Sequence, residues 1–137
     1  MTQFRIGEAA DLLGVSADTV RRWVDAGRLP AERDDHGHRV IGGATLAGFA
    51  RSLGGGPDER ADMSSARNRL RGIVTAVVKD TVMAQVEMQA GPFRIVSLMS
   101  REALDEMDLQ VGSVAVAVIK STTVVVEKPG TKGRTTP

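Results

Sequence analysis

Two short clusters in this chain combine the residue types that hold a small anion. Ser65, Ala66, Arg67 and Asn68 stand just before a run of strand-like segments, and Lys120, Ser121 and Thr122 stand near its end. Arg67 and Lys120 offer positive charge, the serines and the threonine offer hydroxyl donors, and neither cluster contains a carboxylate. An oxyanion has only acceptor oxygens, so it is held by a nest of N–H and O–H donors with one or two cations. A second set of chemistry-bearing residues lies earlier. Ser16, Thr19, Arg21 and Arg22 sit at one end of a predicted helix, with Arg33, His38 and Arg39 downstream. Arginines so placed can grip phosphates or read guanine through two hydrogen bonds, and a helix N-terminus offers backbone donors to a phosphate.

The elements that must position these groups are legible from periodicity and punctuation. Ile6, Ala9, Ala10 and Leu13 recur at helical spacing, and Gly14 ends that helix. Ser16 is placed to cap a second helix, Asp18 suits its positive end, and Val15 with Val20 forms a hydrophobic staple. Val20, Trp23 and Val24 supply its buried face. Gly27 closes it and Leu29-Pro30 stops any continuation. Arg33 to Val40 reads as a hairpin turning at Gly37, and Thr45 to Leu53 as a third helix. This order is a winged arrangement of a helix-turn-helix.

Residues 54–63, Gly-Gly-Gly-Pro-Asp-Glu-Arg-Ala-Asp-Met, read as a flexible linker. Beyond it the pattern turns β. Strands are expected at Ile73–Val78, Val82–Met88, Phe93–Met99, through Val114, Val116 and Val118, and at Thr123–Glu127. A short helix, Arg101–Met107, follows Ser100. Five strands and one helix suggest a small OB-like barrel. The fold class is therefore α+β. Residues 1–53 form a winged helix-turn-helix, 64–128 the barrel, and 129–137 a polar, disordered tail.

Composition narrows the function classes. The 137 residues carry a net charge of +1, and residues 1–56 balance seven arginines against seven acidic residues, so any nucleic-acid surface is local. The absence of cysteine excludes disulfides, thiolate chemistry and Cys-ligated zinc. Aromatics form only 3% of the chain, so cores are built from aliphatics and Met, including Met83, Met88, Met99 and Met107, and burial at a subunit interface is favoured. No apolar run reaches the length of a membrane span, and no signal-peptide pattern is present, so a cytoplasmic location is expected. His36 and His38 lack a third ligand beyond Asp34 or Asp35, so a cation site is not expected. Glu102 and Asp105 on a short exposed helix suggest no catalysis. Without a nucleophile–base pair or a nucleotide-binding glycine loop, no enzyme activity or organic cofactor is expected.

Residues 3–53 resemble the MerR-type and excisionase-type winged helix-turn-helix. The matching residues are Ile6-Gly7-Glu8-Ala9-Ala10, Leu13-Gly14-Val15-Ser16, Thr19-Val20-Arg21-Arg22-Trp23, Gly27-Arg28-Leu29-Pro30 and Gly37-His38-Arg39. The resemblance implies that Ser16, Thr19, Arg21 and Arg22 face DNA from the helix, and Arg33, His38 and Arg39 from the wing. In place of the long coiled coil that usually pairs such regulators, this chain has the linker.

Residues 64–127 resemble the Mop (TOBE) domain, through Ser-Ala-Arg-Asn followed by Leu and Gly, and through Val118-Ile119-Lys120-Ser121-Thr122-Thr123-Val124. This resemblance implies a molybdate or tungstate ligand held between subunits of a trimer or higher assembly. Ser65, Ala66, Arg67, Asn68, Lys120, Ser121 and Thr122 would hold it, with a main-chain contact at Val82. Met83-Ala84-Gln85-Val86 and Ile95-Val96-Ser97 depart from the family's usual Asn-Ala-Glu-Val and Ile-Thr-Ala. The fusion implies a molybdate-responsive transcription regulator that binds DNA as a homo-oligomer. The alternatives are a molbindin-like storage protein with an accessory helix-turn-helix, and an architectural DNA binder whose barrel only oligomerises.

Overall fold

The computed structural model describes residues 2–54 and 63–130, and the chain divides into two compact units at residues 57 and 58. The linker expectation therefore lies outside the described residues except at Gly54 and Met63, and the tail expectation except at Pro129 and Gly130.

In the first unit, strand β1 (Gln3–Arg5) leads into helix α1 (Ile6–Leu13). The Arg5 amide donates to Glu8 Oε1 (2.9 Å), which starts the helix. Gly14 ends it in the left-handed conformation (φ 71°), where its amide and that of Val15 reach back to the last carbonyls. Helix α2 (Ala17–Asp25) follows, capped by Ser16, whose Oγ accepts from the Thr19 amide (3.1 Å). Strands β2 (Glu32–Arg33) and β3 (Arg39–Gly42) form the hairpin, which turns at Gly37 (φ 81°), and α3 (Gly43–Leu53) completes the unit. The sheet order is β1-β3-β2, all antiparallel. Ala9, Ala10, Val20, Leu29, Ile41 and Leu46 make the core, with Trp23 packed at its margin against Phe49 (ring centroids 5.0 Å). Ala9 and Ala10 of α1 share this core with Val20 of α2.

The second unit is a four-stranded antiparallel sheet in the order β6-β5-β4-β7 with one helix. Its elements are β4 (Asn68–Lys79), β5 (Met83–Ala90), β6 (Phe93–Ser100), α4 (Arg101–Met107) and β7 (Val114–Ile119). Ser100 caps α4 by accepting from the Ala103 amide. Val74, Ala84, Val86 and Leu104 form the core, joined at its margin by Val77, Met99, Leu109 and Ala115. A register shift between Val74 and Ala76 bends β4, and the sheet curls. Its two edge strands, β6 and β7, line one groove of about 530 Å³ together with Val86 and Met88.

Two expectations need correction. No strand forms over Thr123–Glu127. A 3₁₀ turn at Ser121–Thr123 breaks the direction of β7, with the Thr123 amide and hydroxyl both donating to the Lys120 carbonyl. The segment beyond runs without a ladder partner, and Val125 and Val126 are 84% and 88% exposed. β-Branched composition marks a segment that can be a strand, but a strand also needs a neighbour. Nor are all four methionines core fill. Met88 is buried, while Met83 and Met107 are 44% and 54% exposed.

Candidate functional site

The ladder between β4 and β7 brings the two anion clusters together. Asn68 is directly opposite Ile119, so Arg67 and Lys120 are the residues just beyond the paired ends of adjacent strands. The Asn68 side-chain amide donates to the Ile119 carbonyl (3.0 Å), tying the front cluster to the back one. Ala66 is buried, and its amide donates to Ser64 Oγ (3.1 Å). Ser64 was not among the residues singled out from sequence; its signal was the turn formed by a hydroxyl accepting from an amide two residues on. Arg67 donates to the carbonyls of Ser64 (3.0 Å) and Ala66 (3.3 Å), so its guanidinium is held by its own turn. Ser65, Arg67, Lys120, Ser121 and Thr122 are exposed around this corner. Two cations and three hydroxyls thus share one end of the β4–β7 ladder.

Val82 is not brought to that corner. It sits in the β4–β5 turn, beyond the far end of a twelve-residue strand that starts at Asn68. At about 3.3 Å per residue the separation along the strand is roughly 36 Å. Its amide donates to Asp80 Oδ1 (2.7 Å), and its carbonyl accepts from the Arg101 amide (2.8 Å). The amides of Met83 and Val82 hold the Asp80 carboxyl below the usual carboxylate range.

In the first unit, the residues singled out for DNA lie on α2 and the hairpin, and most have partners. Arg21 pairs with Asp18 (2.6 Å) and Arg39 with Asp25 (2.6 Å). Arg22 donates to Thr19 Oγ1 (3.3 Å), and the Thr19 and Ser16 hydroxyls share a bond (2.9 Å). Arg33 donates to the Gly37 carbonyl (2.6 Å), which braces the hairpin turn. Asp34 Oδ1 accepts from the amides of His36 and His38 (2.9 Å each). These bonds, that from His38 foremost, lower the Asp34 pKa. His36 and His38 stand with ring centroids 6.4 Å apart. The carboxylates Asp18 and Asp25 give the exposed side of α2 an alternating sign.

Comparison with known proteins agrees with both halves. Residues 5–41 match the model of the MerR family regulatory proteins, and residues 64–126 match that of the TOBE domain. Over 63 residues the chain is 40% identical to molybdenum-pterin-binding protein 3 of Clostridium pasteurianum, an alignment that spans 45% of this chain and 93% of that protein. It is equally identical over 63 residues to the molybdenum transport protein ModE of Herbaspirillum seropedicae, of which it spans 23%. A solved structure of a molybdate-binding protein from Sporomusa ovata aligns with 47% of this chain and 97% of its own, with 32% identity and a TM-score of 0.46. The chain belongs to the family of the molybdenum-pterin-binding proteins through its TOBE domain, and it carries a MerR-type helix-turn-helix at its N-terminus.

Proposed function

We propose that this chain is a molybdate- and tungstate-binding protein that binds DNA through its first unit and regulates transcription in response to the oxyanion. The observation that carries the ligand is the corner at the end of the β4–β7 ladder that Arg67 and Lys120 flank, with Ser65, Ser121 and Thr122 around it and no carboxylate in either cluster. A tetrahedral dianion finds two cations and several hydroxyls at that corner. Tungstate, of nearly the same size and charge, suits the same donors, whereas sulfate is smaller. Relatives named for molybdenum-pterin and for molybdenum transport point to the same element. On this reading the α1–α2 pair and its hairpin act as a winged helix-turn-helix, and the chain works in the cytoplasm, where DNA is its second partner.

The reading includes a homo-oligomer. Val82 lies at the far end of β4 from the corner, so a site that uses it takes it from a second copy. A surface for assembly is present: the groove between β6 and β7 is apolar, and Val124, Val125 and Val126 form an extended, exposed apolar segment of the same chain. The segment of one copy seated in the groove of another would supply the missing fifth strand and bury both surfaces.

Isothermal titration of the whole chain with molybdate, with sulfate as control and mass measured by light scattering, tests the reading. The expected result is molybdate binding by an oligomer and none of sulfate. Arg67→Ala or Lys120→Ala should each weaken binding by about 10- to 100-fold, the range for one charge-assisted hydrogen bond. No heat with molybdate would sink the ligand assignment.

A further inference from the structure

We propose that Arg28 is a phosphate contact on the flank of α2 opposite the hairpin, a deepening that rests on the DNA-binding reading. At about 100° per residue, Val20 and Val24 mark the buried side of α2, and Arg22 projects directly away from it. Asp25 and Trp23 then point to opposite flanks. On the Asp25 flank, the ion pair to Arg39 ties β3 of the hairpin against the helix. On the Trp23 flank stands Arg28. Its guanidinium carbon lies 5.9 Å from the Trp23 ring centroid, within cation–π range, and Trp23 is itself braced by Phe49. Gly27, in the left-handed conformation (φ 78°), turns the chain so that the Arg28 amide closes back on the Trp23 carbonyl (2.9 Å). Arg28 is thus exposed, yet held in place by ring and backbone.

Charge accounting leaves the same residue available: like Arg5, Arg22 and Arg51, it takes part in none of the ion pairs among the described residues of the first unit. In the first unit Arg21 and Arg39 are each tied to a carboxylate of α2, and Arg33 is spent on the hairpin turn. Among the described residues Arg28 has no carboxylate partner, and the aromatic face orients it without neutralising it. A helix seated in the major groove, about 12 Å wide, has a row of phosphates on each side. The hairpin, tied to α2 through Asp25 and Arg39, stands on the side of one row. The other requires a cation on the Trp23 flank, and Arg28 supplies it. A phosphate contact positions the helix and carries no sequence information, so Arg28 sets affinity and not preference.

The test uses the whole chain and fluorescence anisotropy across a salt series. Two labelled duplexes are compared, one selected by the wild-type chain from a random-sequence pool and one unrelated. Arg28→Ala should weaken binding to both by a similar factor, about 5- to 10-fold, and reduce the slope of log affinity against log salt by about one. Arg28→Lys, which keeps the charge, should restore the slope; a role confined to packing on Trp23 would not separate these two variants. Wild-type affinity and slope in Arg28→Ala would overturn the assignment, as would a loss confined to the selected duplex. If the wild-type chain binds neither duplex at any salt, the DNA-binding reading itself fails before any variant is made, and Arg28 falls with it.

Discussion

At the scale of single residues, steric room and hydrogen bonds settle roles that residue type leaves open. Gly72, the glycine that follows the Ser-Ala-Arg-Asn-Arg-Leu-Arg run, is required by contact. A Cβ there would lie 2.2 Å from the Gln89 carbonyl oxygen and 2.8 Å from its carbon, both backbone atoms of β5. Gly72→Ala must force the two strands apart, and an overpacking cost of about 1–3 kcal/mol is expected, read as a lowered thermal midpoint of the second unit. Asp34 makes a different prediction. Its carboxylate accepts two amides in the hairpin turn, and its pKa is lowered. A lowered pKa means that the charged form favours the native turn, so the contribution is present above the unfolded value and is lost as pH falls through the folded one. The Asp34 carboxyl carbon should therefore keep the chemical shift of its ionised form from neutrality down to about pH 4 and move only below it. Asp34→Asn should shift the His36 and His38 amide signals already at neutral pH. A wild-type carboxyl signal that moves above that range would argue against the two amide bonds as its anchor.

The elements show which features the sequence could reveal. Helix α2 was legible because its determinants are local: Ser16 before it, Val20 and Val24 on one face, Gly27 after it. Ser16 was read both as a cap and as a DNA contact, and the structure commits its Oγ to the Thr19 amide and hydroxyl. Ser16→Ala should cost about 1 kcal/mol in a denaturant titration of the first unit, with Ser16→Asp retaining most of the stability through the same cap. Equal losses in both would argue against capping as its role. Features set by distant neighbours were not legible. The Asp25–Arg39 pair joins residues fourteen apart, and β1 exists only because β3 accepts it. Likewise Thr123–Glu127 has the composition of a strand, but the 3₁₀ turn before it and the missing neighbour decide otherwise. The anion corner was legible as two clusters in sequence, while their adjacency depends on the β4–β7 register.

At the scale of the whole molecule, the valine segment and the open groove allow the assembly and the ligand to be tested together. If each of two copies lends Val124–Val126 to the other, the contact is isologous and the pair has two-fold symmetry. That symmetry also suits a helix-turn-helix, which reads paired half-sites most readily as a dimer. Higher assemblies would then be built from such pairs. Replacing Val125 and Val126 by Lys places charge on two residues that are already exposed in the single chain, so the fold of one copy should be unchanged by circular dichroism. Seated as a strand, the segment would turn one of the two side chains into a groove lined by Val, Ile and Met and so bury an unpaired ammonium group, which is strongly unfavourable. The double variant should therefore run as a monomer by light scattering at concentrations where the parent is larger. It should also lose most of its molybdate binding although Arg67, Lys120 and the hydroxyls are untouched, because Val82 of a second copy is no longer supplied. An oligomer of unchanged mass would show that another surface holds the copies together. A monomer that still binds molybdate with parental affinity would show that the Arg67–Lys120 corner is complete within one chain.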